Sequence, residues 1–198
     1  MNGFERRKQK KIEQIYNVSF QLFLQHGFQK VSVNEIAQMA NVSPATIYNY
    51  FGTKEQLYAD MLIHWVDKQL QQYEAILKSE RSFLEKTREI MLLEATNLHI
   101  LSNELQKEPP SEVGGFKHLL ETYTEQKVVE FFMKYVALGK QSGFIHQNQT
   151  EENVMLYFSM FKNELGKRWN KTNHETNEIG IDQLIELFFY GLAGQAQS

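Results

Sequence analysis

The sequence predicts an all-α protein, on three observations. Apolar residues recur at helical spacing along almost the whole chain, alternating β-branched runs are scarce with only 3 prolines in 198 residues, and three helix-start signals crowd into the stretch Ser32 to Leu57. The expected architecture is an N-terminal three-helix bundle with a helix-turn-helix over about 31–51, followed by a larger helical domain. The division falls at 1–53 and 54–198, the two parts joined by a long helix over 54–77, and the total is about nine helices.

The first helix is expected from about Glu5 to His26, with Ile12, Ile15, Tyr16, Phe20, Phe23 and Leu24 at helical spacing. Gly27 closes it, and Phe28 can fold back on the last turn. Ser32 stands three residues before Glu35, the spacing of a capping box. Ile36, Ala37 and Ala40 line one face of the short helix that follows, and Asn41 sits where a left-handed residue would end it. Ser43 then precedes Pro44, whose missing N–H costs nothing at the first position of a helix running to about Phe51. Phe51 falls on the buried side. Thr53 and Gln56 form another possible capping box, opening a long helix from Lys54 to about Leu77. No Gly/Ser-rich linker separates the domains, so they share this helix.

Ser82 and Glu85 repeat the box spacing and open a segment to about Lys107, with a possible break near Thr96-Asn97-Leu98. Pro109-Pro110 and Gly114-Gly115 mark the most evident loop. Helices are then expected from Phe116 to about Gln141, from Thr150 to about Asn170 and from Ile181 to about Leu192. Thr150 caps the second of these, and Glu151 and Glu152 suit its positive dipole end. The last two are apolar on too many sides for a free surface, so pairing with a second chain is expected, through Val154, Phe158, Leu165, Trp169, Leu184, Phe188 and Leu192.

The residues S-V-x-E-I-A (Ser32–Ala37), N-V-S-x-A-T-I-Y-x-Y-F (Asn41–Phe51) and T-K-E-Q-L (Thr53–Leu57) resemble the TetR family of bacterial transcriptional regulators. The resemblance is sharp over about residues 5 to 65 and architectural beyond; Gly139 to Ile145 also resembles the end of the corresponding family helix. It implies that the second short helix enters the DNA major groove and that the larger domain dimerises and senses a small molecule. It further implies that the fourth helix transmits ligand binding, that the last two helices build a four-helix interface across a two-fold axis, and that the default action is repression. Ser32, Tyr48 and Lys54 map onto phosphate-contacting positions. Asn34 stands where the family often has a basic residue, which puts one usual contact in doubt.

Charge distribution agrees with a polyanionic partner. The net charge is −3, yet the first 54 residues hold seven Lys/Arg against three acids, a balance of +4 that leaves −7 on the remainder. Arg6, Arg7, Lys8, Lys10 and Lys11 are placed to reach phosphates or the minor groove, or to serve as a solvated tail. The reader helix, Ser43 to Tyr50, has no Arg or Lys, which removes the usual bidentate fork on guanine. Ala45 and Thr46 offer methyl groups for thymine, Asn49 can pair with adenine, and Tyr50 either packs or meets phosphate. The DNA-contacting set is thus Ser32, Asn34, Ser43, Pro44, Ala45, Thr46, Tyr48, Asn49, Tyr50 and Lys54, on a site with important A·T positions. Two readers on a two-fold axis call for an inverted repeat with half-sites roughly 34–36 Å apart or more.

The partners expected are double-stranded operator DNA, a second copy of the chain as homodimer, and a small, largely apolar effector. Candidates for the effector pocket are Trp65, Met91, Glu94, His99, Phe116, Tyr123, Phe131, Tyr157 and Phe161. No cofactor and no metal site is expected: there is no cysteine, and the 6 histidines show no ligand spacing. Phosphate loops, nucleophile elbows and acid pairs are not found, so an enzyme is not expected and no catalytic residue is assigned. The lack of cysteine, of an apolar run of about 18 residues and of a signal-peptide core fits a cytoplasmic protein without membrane contact. The rival readings are a helical interaction module, which leaves the first 54 residues unexplained, and an activator without a small-molecule inducer.

Overall fold

A computed structural model describes residues 2–105, 114–169, 183, 186–188 and 190. The described residues form seven helices and no strand: α1 (Gly3–His26), α2 (Val33–Met39), α3 (Pro44–Phe51), α4 (Lys54–Lys78), α5 (Phe83–Leu105), α6 (Gly114–Gln141) and α7 (Glu151–Trp169). The chain is all-α, as the apolar spacing indicates. The final helix expected over 181–192 lies largely outside the described residues.

The starts of these helices follow local chemistry. α1 begins two residues earlier than the apolar pattern suggests, because Asn2 caps it: Asn2 Oδ1 accepts from the N–H groups of Phe4 and Glu5, and Glu5 Oε2 accepts from Asn2 N. Ser32 Oγ accepts from Glu35 N at 3.1 Å and Thr53 Oγ1 from Gln56 N at 3.0 Å, so both supply the forward half of a box. Gln56 turns its amide to Asp60 Oδ1 at 2.7 Å instead of returning it to Thr53. The reciprocal box at Ser82 and Glu85 is complete, with bonds of 2.8 and 3.3 Å. Its helix, α5, is continuous to Leu105, which corrects the possible break at Thr96-Asn97-Leu98. Thr96 turns its hydroxyl back to the carbonyl of Leu92 at 3.1 Å, one turn earlier in the same helix, and Asn97 is buried with its amide donating to Tyr73, so both side chains find partners while the helix continues.

Contacts divide the chain into two compact units: residues 1–71 with 102–128, and residues 72–101 with 129–198. In the first, Ile15, Leu22, Phe23, Val31, Ile36, Ala37, Ala40, Ile47, Phe51, Leu57 and Met61 are buried in one cluster. Gly27 takes φ 79 at the end of α1, which lets Phe28 return onto Phe23 with ring centres 5.5 Å apart. In the second unit the core is aromatic. Tyr135 is 1% exposed and touches Phe83, Phe132 and Phe158 at 5.0 to 5.7 Å.

Candidate nucleic-acid interface and effector-binding residues

The turn between α2 and α3 is a hydrogen-bonded cap. Asn41 has φ 52, its N–H bonds the carbonyl of Gln38 at 3.2 Å, and Val42 N bonds that of Ala37 at 2.9 Å. That pair is the Schellman arrangement, and Val42 packs onto the core beside it. Asn suits the left-handed position because its short polar side chain tolerates it. Ser43 then caps α3, its Oγ accepting from Thr46 N at 3.2 Å and lying 2.9 Å from Thr46 Oγ1. Thr46 therefore commits its hydroxyl locally and has its methyl left for an apolar contact.

α3 is held by only two deeply buried side chains, Ile47 at 0% and Phe51 at 7% exposure. Ser43, Pro44, Ala45, Tyr48 and Asn49 are exposed, as are Ser32 and Asn34; Thr46 and Tyr50 are half-buried. Tyr50 packs edge-on against Phe51, and Lys8 Nζ lies 5.6 Å from its ring centre. Both packing and an outward edge are thus available to Tyr50. Lys54 Nζ lies 4.2 Å above the Phe28 ring. Burial pushes its pKa down, opposed by neighbouring Glu55. Arg6, Arg7, Lys8, Lys10 and Lys11 are exposed on α1 itself. They stand on a helix with fixed spacing, because the Asn2 cap carries α1 past them.

Residues 15–61 match the model of bacterial regulatory proteins of the tetR family. The matched segment contains α2, α3 and the turn between them, so the helix-turn-helix carries the family likeness. Similarity to known proteins extends beyond the matched segment. The transcriptional regulator YhgD of Bacillus subtilis (strain 168) is 22% identical over 170 residues, covering 84% of this chain and 87% of YhgD. The structure of FadR from Bacillus subtilis in complex with stearoyl-CoA superposes with a TM-score of 0.68 at 18% identity, covering 91% of this chain and 98% of that one. A cysteine-substituted CifR complexed with 26-bp operator DNA gives a TM-score of 0.66 at 14% identity over 87% and 94% of the two chains. At such identities these structures establish the fold.

The effector candidates divide between the units. In the first, Trp65 stacks on Phe20 with ring centres 5.7 Å apart, and Tyr123 donates to Asp67 Oδ1 at 2.6 Å. In the second, Met91 is buried, and Phe131 packs on Tyr73 at 5.4 Å. The Tyr73 hydroxyl donates to the Glu94 carboxylate and accepts from Asn97 Nδ2 at 2.6 Å. Glu94 is thus engaged within the protein. Burial, followed by the Glu94 charge, drives the Tyr73 pKa far upward. Tyr157 packs on Phe161 and Phe188 and lines a cleft of about 420 Å3, bounded by Phe83, Tyr135, Phe144 and Phe188. None of the other described candidates is among the described residues lining this cleft. The side chains of His99 and Phe116 lie outside the described residues.

Of the residues expected at a dimer interface, Phe158 and Phe188 are 9% and 8% exposed and pack on each other with ring centres 6.1 Å apart. Within the chain they contribute to its own aromatic core. The open side of α7 is formed by Leu156 at 64% and Met160 at 60% exposure. Val154 lines the cleft. The side chains of Leu165 and Trp169, and all of Leu184 and Leu192, lie outside the described residues. Apolar residues in α7 occupy several faces, so spacing alone does not choose the buried one.

Proposed function

We propose that the protein is a ligand-responsive repressor that binds an inverted-repeat operator as a homodimer. The observation that carries the reading is the division of α3 between two anchors, Ile47 and Phe51, and an outward set, Ala45, Tyr48 and Asn49, at the surface of a positively charged segment. Ser32, Ser43, Tyr48 and Lys54 bind phosphates, the first two beside the free N–H groups of helix starts. Ala45 and Thr46 meet thymine methyls, Asn49 reads adenine, and Asn34, Pro44 and Tyr50 complete the contact surface. Lys8 joins them from α1. The second copy packs on α7 through Leu156 and Met160, since large exposed apolar side chains on one face mark an interface.

The effector is small and largely apolar. FadR of Bacillus subtilis, a structural neighbour, is described in complex with stearoyl-CoA, a ligand whose acyl chain is apolar and whose CoA part is charged, which supports an apolar portion in a ligand for this fold. The effector draws the dimer off DNA by binding better to the conformation whose readers are wrongly spaced. α4 is the lever. It is joined to α1 by the Phe20–Trp65 stack, the Tyr16–His64 contact at 4.7 Å and the Glu13–Lys68 ion pair at 2.9 Å, so a shift of α4 is felt by the bundle that holds α3.

A gel shift with the DNA flanking the protein's own gene, at low and moderate salt, tests this reading. A sequence-specific shift carrying two chains per duplex is expected. Binding that disappears at moderate salt for every sequence alike would leave only electrostatic attraction and defeat it. Selection of binding sites from random DNA is expected to return A·T-containing half-sites; an all-G·C half-site would contradict the roles of Ala45, Thr46 and Asn49.

A further inference from the structure

We propose that the cleft between the start of α5, the end of α6, the loop over 142–150 and α7 binds an uncharged, flat aromatic molecule with a polar edge. The walls are rings. Phe83 and Phe144 lie nearly parallel with centres 5.5 Å apart, and Tyr157 and Phe188 meet at 5.0 Å. Phe144 is 46% and Tyr157 40% exposed, so aromatic surface is left to water at the mouth of a concavity. Covering it is favourable, and a flat ring covers two aromatic walls most completely. A volume of about 420 Å3 accommodates a bicyclic or tricyclic body.

The site is preformed. Gly139 lies under the loop, and its carbonyl accepts from both Phe144 N and Ile145 N at 3.0 Å. Gln147 Nε2 donates to the carbonyl of Lys140 at 2.9 Å, and Gln149 N to that of His146 at 3.0 Å. A ligand therefore meets a wall that is already folded, and little ordering is charged against binding.

The rim sets the ligand's chemistry. His146, Gln149 and Asn153 are exposed, and their side chains make no hydrogen bond among the described residues. The tyrosine hydroxyls are committed, Tyr135 to Thr87 at 2.9 Å and Tyr157 as donor to the Phe188 carbonyl at 2.8 Å. One imidazole and two amides thus remain to pair with a hydroxyl, amide or ring nitrogen. Among the described lining residues there is no Asp, Glu, Lys or Arg. An ionic ligand would give up hydration and find no carboxylate, ammonium or guanidinium countercharge among the described lining residues. This cleft is distinct from the effector pocket expected from the sequence, with which it shares Tyr157 alone among the described residues, and its ligand is a separate question from DNA binding.

The test is a fluorescence titration of the full chain at pH 7.5 with 2-naphthol, against 2-naphthoate as its ionic counterpart, with no DNA present. Saturable 2-naphthol binding is expected, about tenfold or more tighter than naphthoate. Asn153→Trp, at an exposed position, fills the mouth and should weaken naphthol binding about tenfold or more, while the pair His146→Ala and Gln149→Ala should weaken it about fivefold. Thermal melting of both variants verifies their fold, and either one alone decides the question. Absence of saturable binding to the wild-type chain, including closure of the cleft by a second copy, overturns the proposal. So does equal affinity for naphthoate, or naphthol binding that either folded variant leaves unchanged. Because DNA is absent, loss of the operator reading would leave this result standing, and the reverse.

Discussion

Around Ile47 the protein buries mostly aliphatic side chains beneath short capped helices; around Tyr135 it buries rings. The first core is closed to solvent, with Ile15, Ile36 and Ile47 at 0% exposure. The second keeps aromatic faces open at Phe144 and Tyr157. A surface that must meet phosphates and base edges in fixed register gains from close-packed anchors and local caps. A region that admits a small molecule gains from ring walls that leave a gap. The difference is one of what each core leaves unfilled.

The sharpest way to break that comparison is Ile47→Ala. Removing this side chain leaves a cavity under α3 and should cost about 2–5 kcal/mol. Urea denaturation should reveal the loss, and gel shift should reveal lost operator binding even where the fold survives. Gly139→Ala tests the other region, because an added Cβ would press into Ile145 and lie 2.7 Å from Phe83 Cζ. Overpacking of about 1–3 kcal/mol is expected by denaturation.

Asn49→Ala sharpens the reading surface without touching its anchors. Operator affinity should fall by about 1–3 kcal/mol and discrimination at one A·T position should relax, with melting temperature nearly unchanged. Asn41→Ala should cost about 1–2 kcal/mol, since alanine is strained at φ 52, and Asn41→Gly should not. A smaller effect is expected from pH. Burial holds His64 below its usual 6.5, helped by Lys68 and opposed by Glu13 and Asp67. The folded state then favours the neutral ring, so its contribution is present above pH 6.5 and lost as pH falls through the lowered value. Melting between pH 7 and 5 should show a steeper fall for the wild-type chain than for His64→Phe. Glu13 is held below 4.5 chiefly by its hydrogen bond to Lys68, and its contribution disappears only at still lower pH.

How much was legible in the sequence differs between the same two regions. Ser32, Asn41, Ser43, Pro44 and Thr53 act on backbone groups within a few residues, so the helices they bound fall where their spacing puts them. The burial of Phe51 and the return of Phe28 onto Phe23 follow from the same local geometry. The cleft did not announce itself. Phe83, Phe144 and Phe188 come from distant parts of the chain, and their meeting depends on tertiary packing. Glu94 reads as polarity available to a ligand until Tyr73, 21 residues away, claims it. In α7, Leu156 and Phe158 are equally apolar in the sequence, and only the fold decides which points inward.

Anchoring of α3 by Ile47 and Phe51, with Tyr50 packed beside them, separates the address from the mount. Side chains at 45, 48 and 49 can be exchanged without disturbing what keeps the helix in place. New recognition preferences are therefore reachable by single substitutions, each sampled on an intact scaffold.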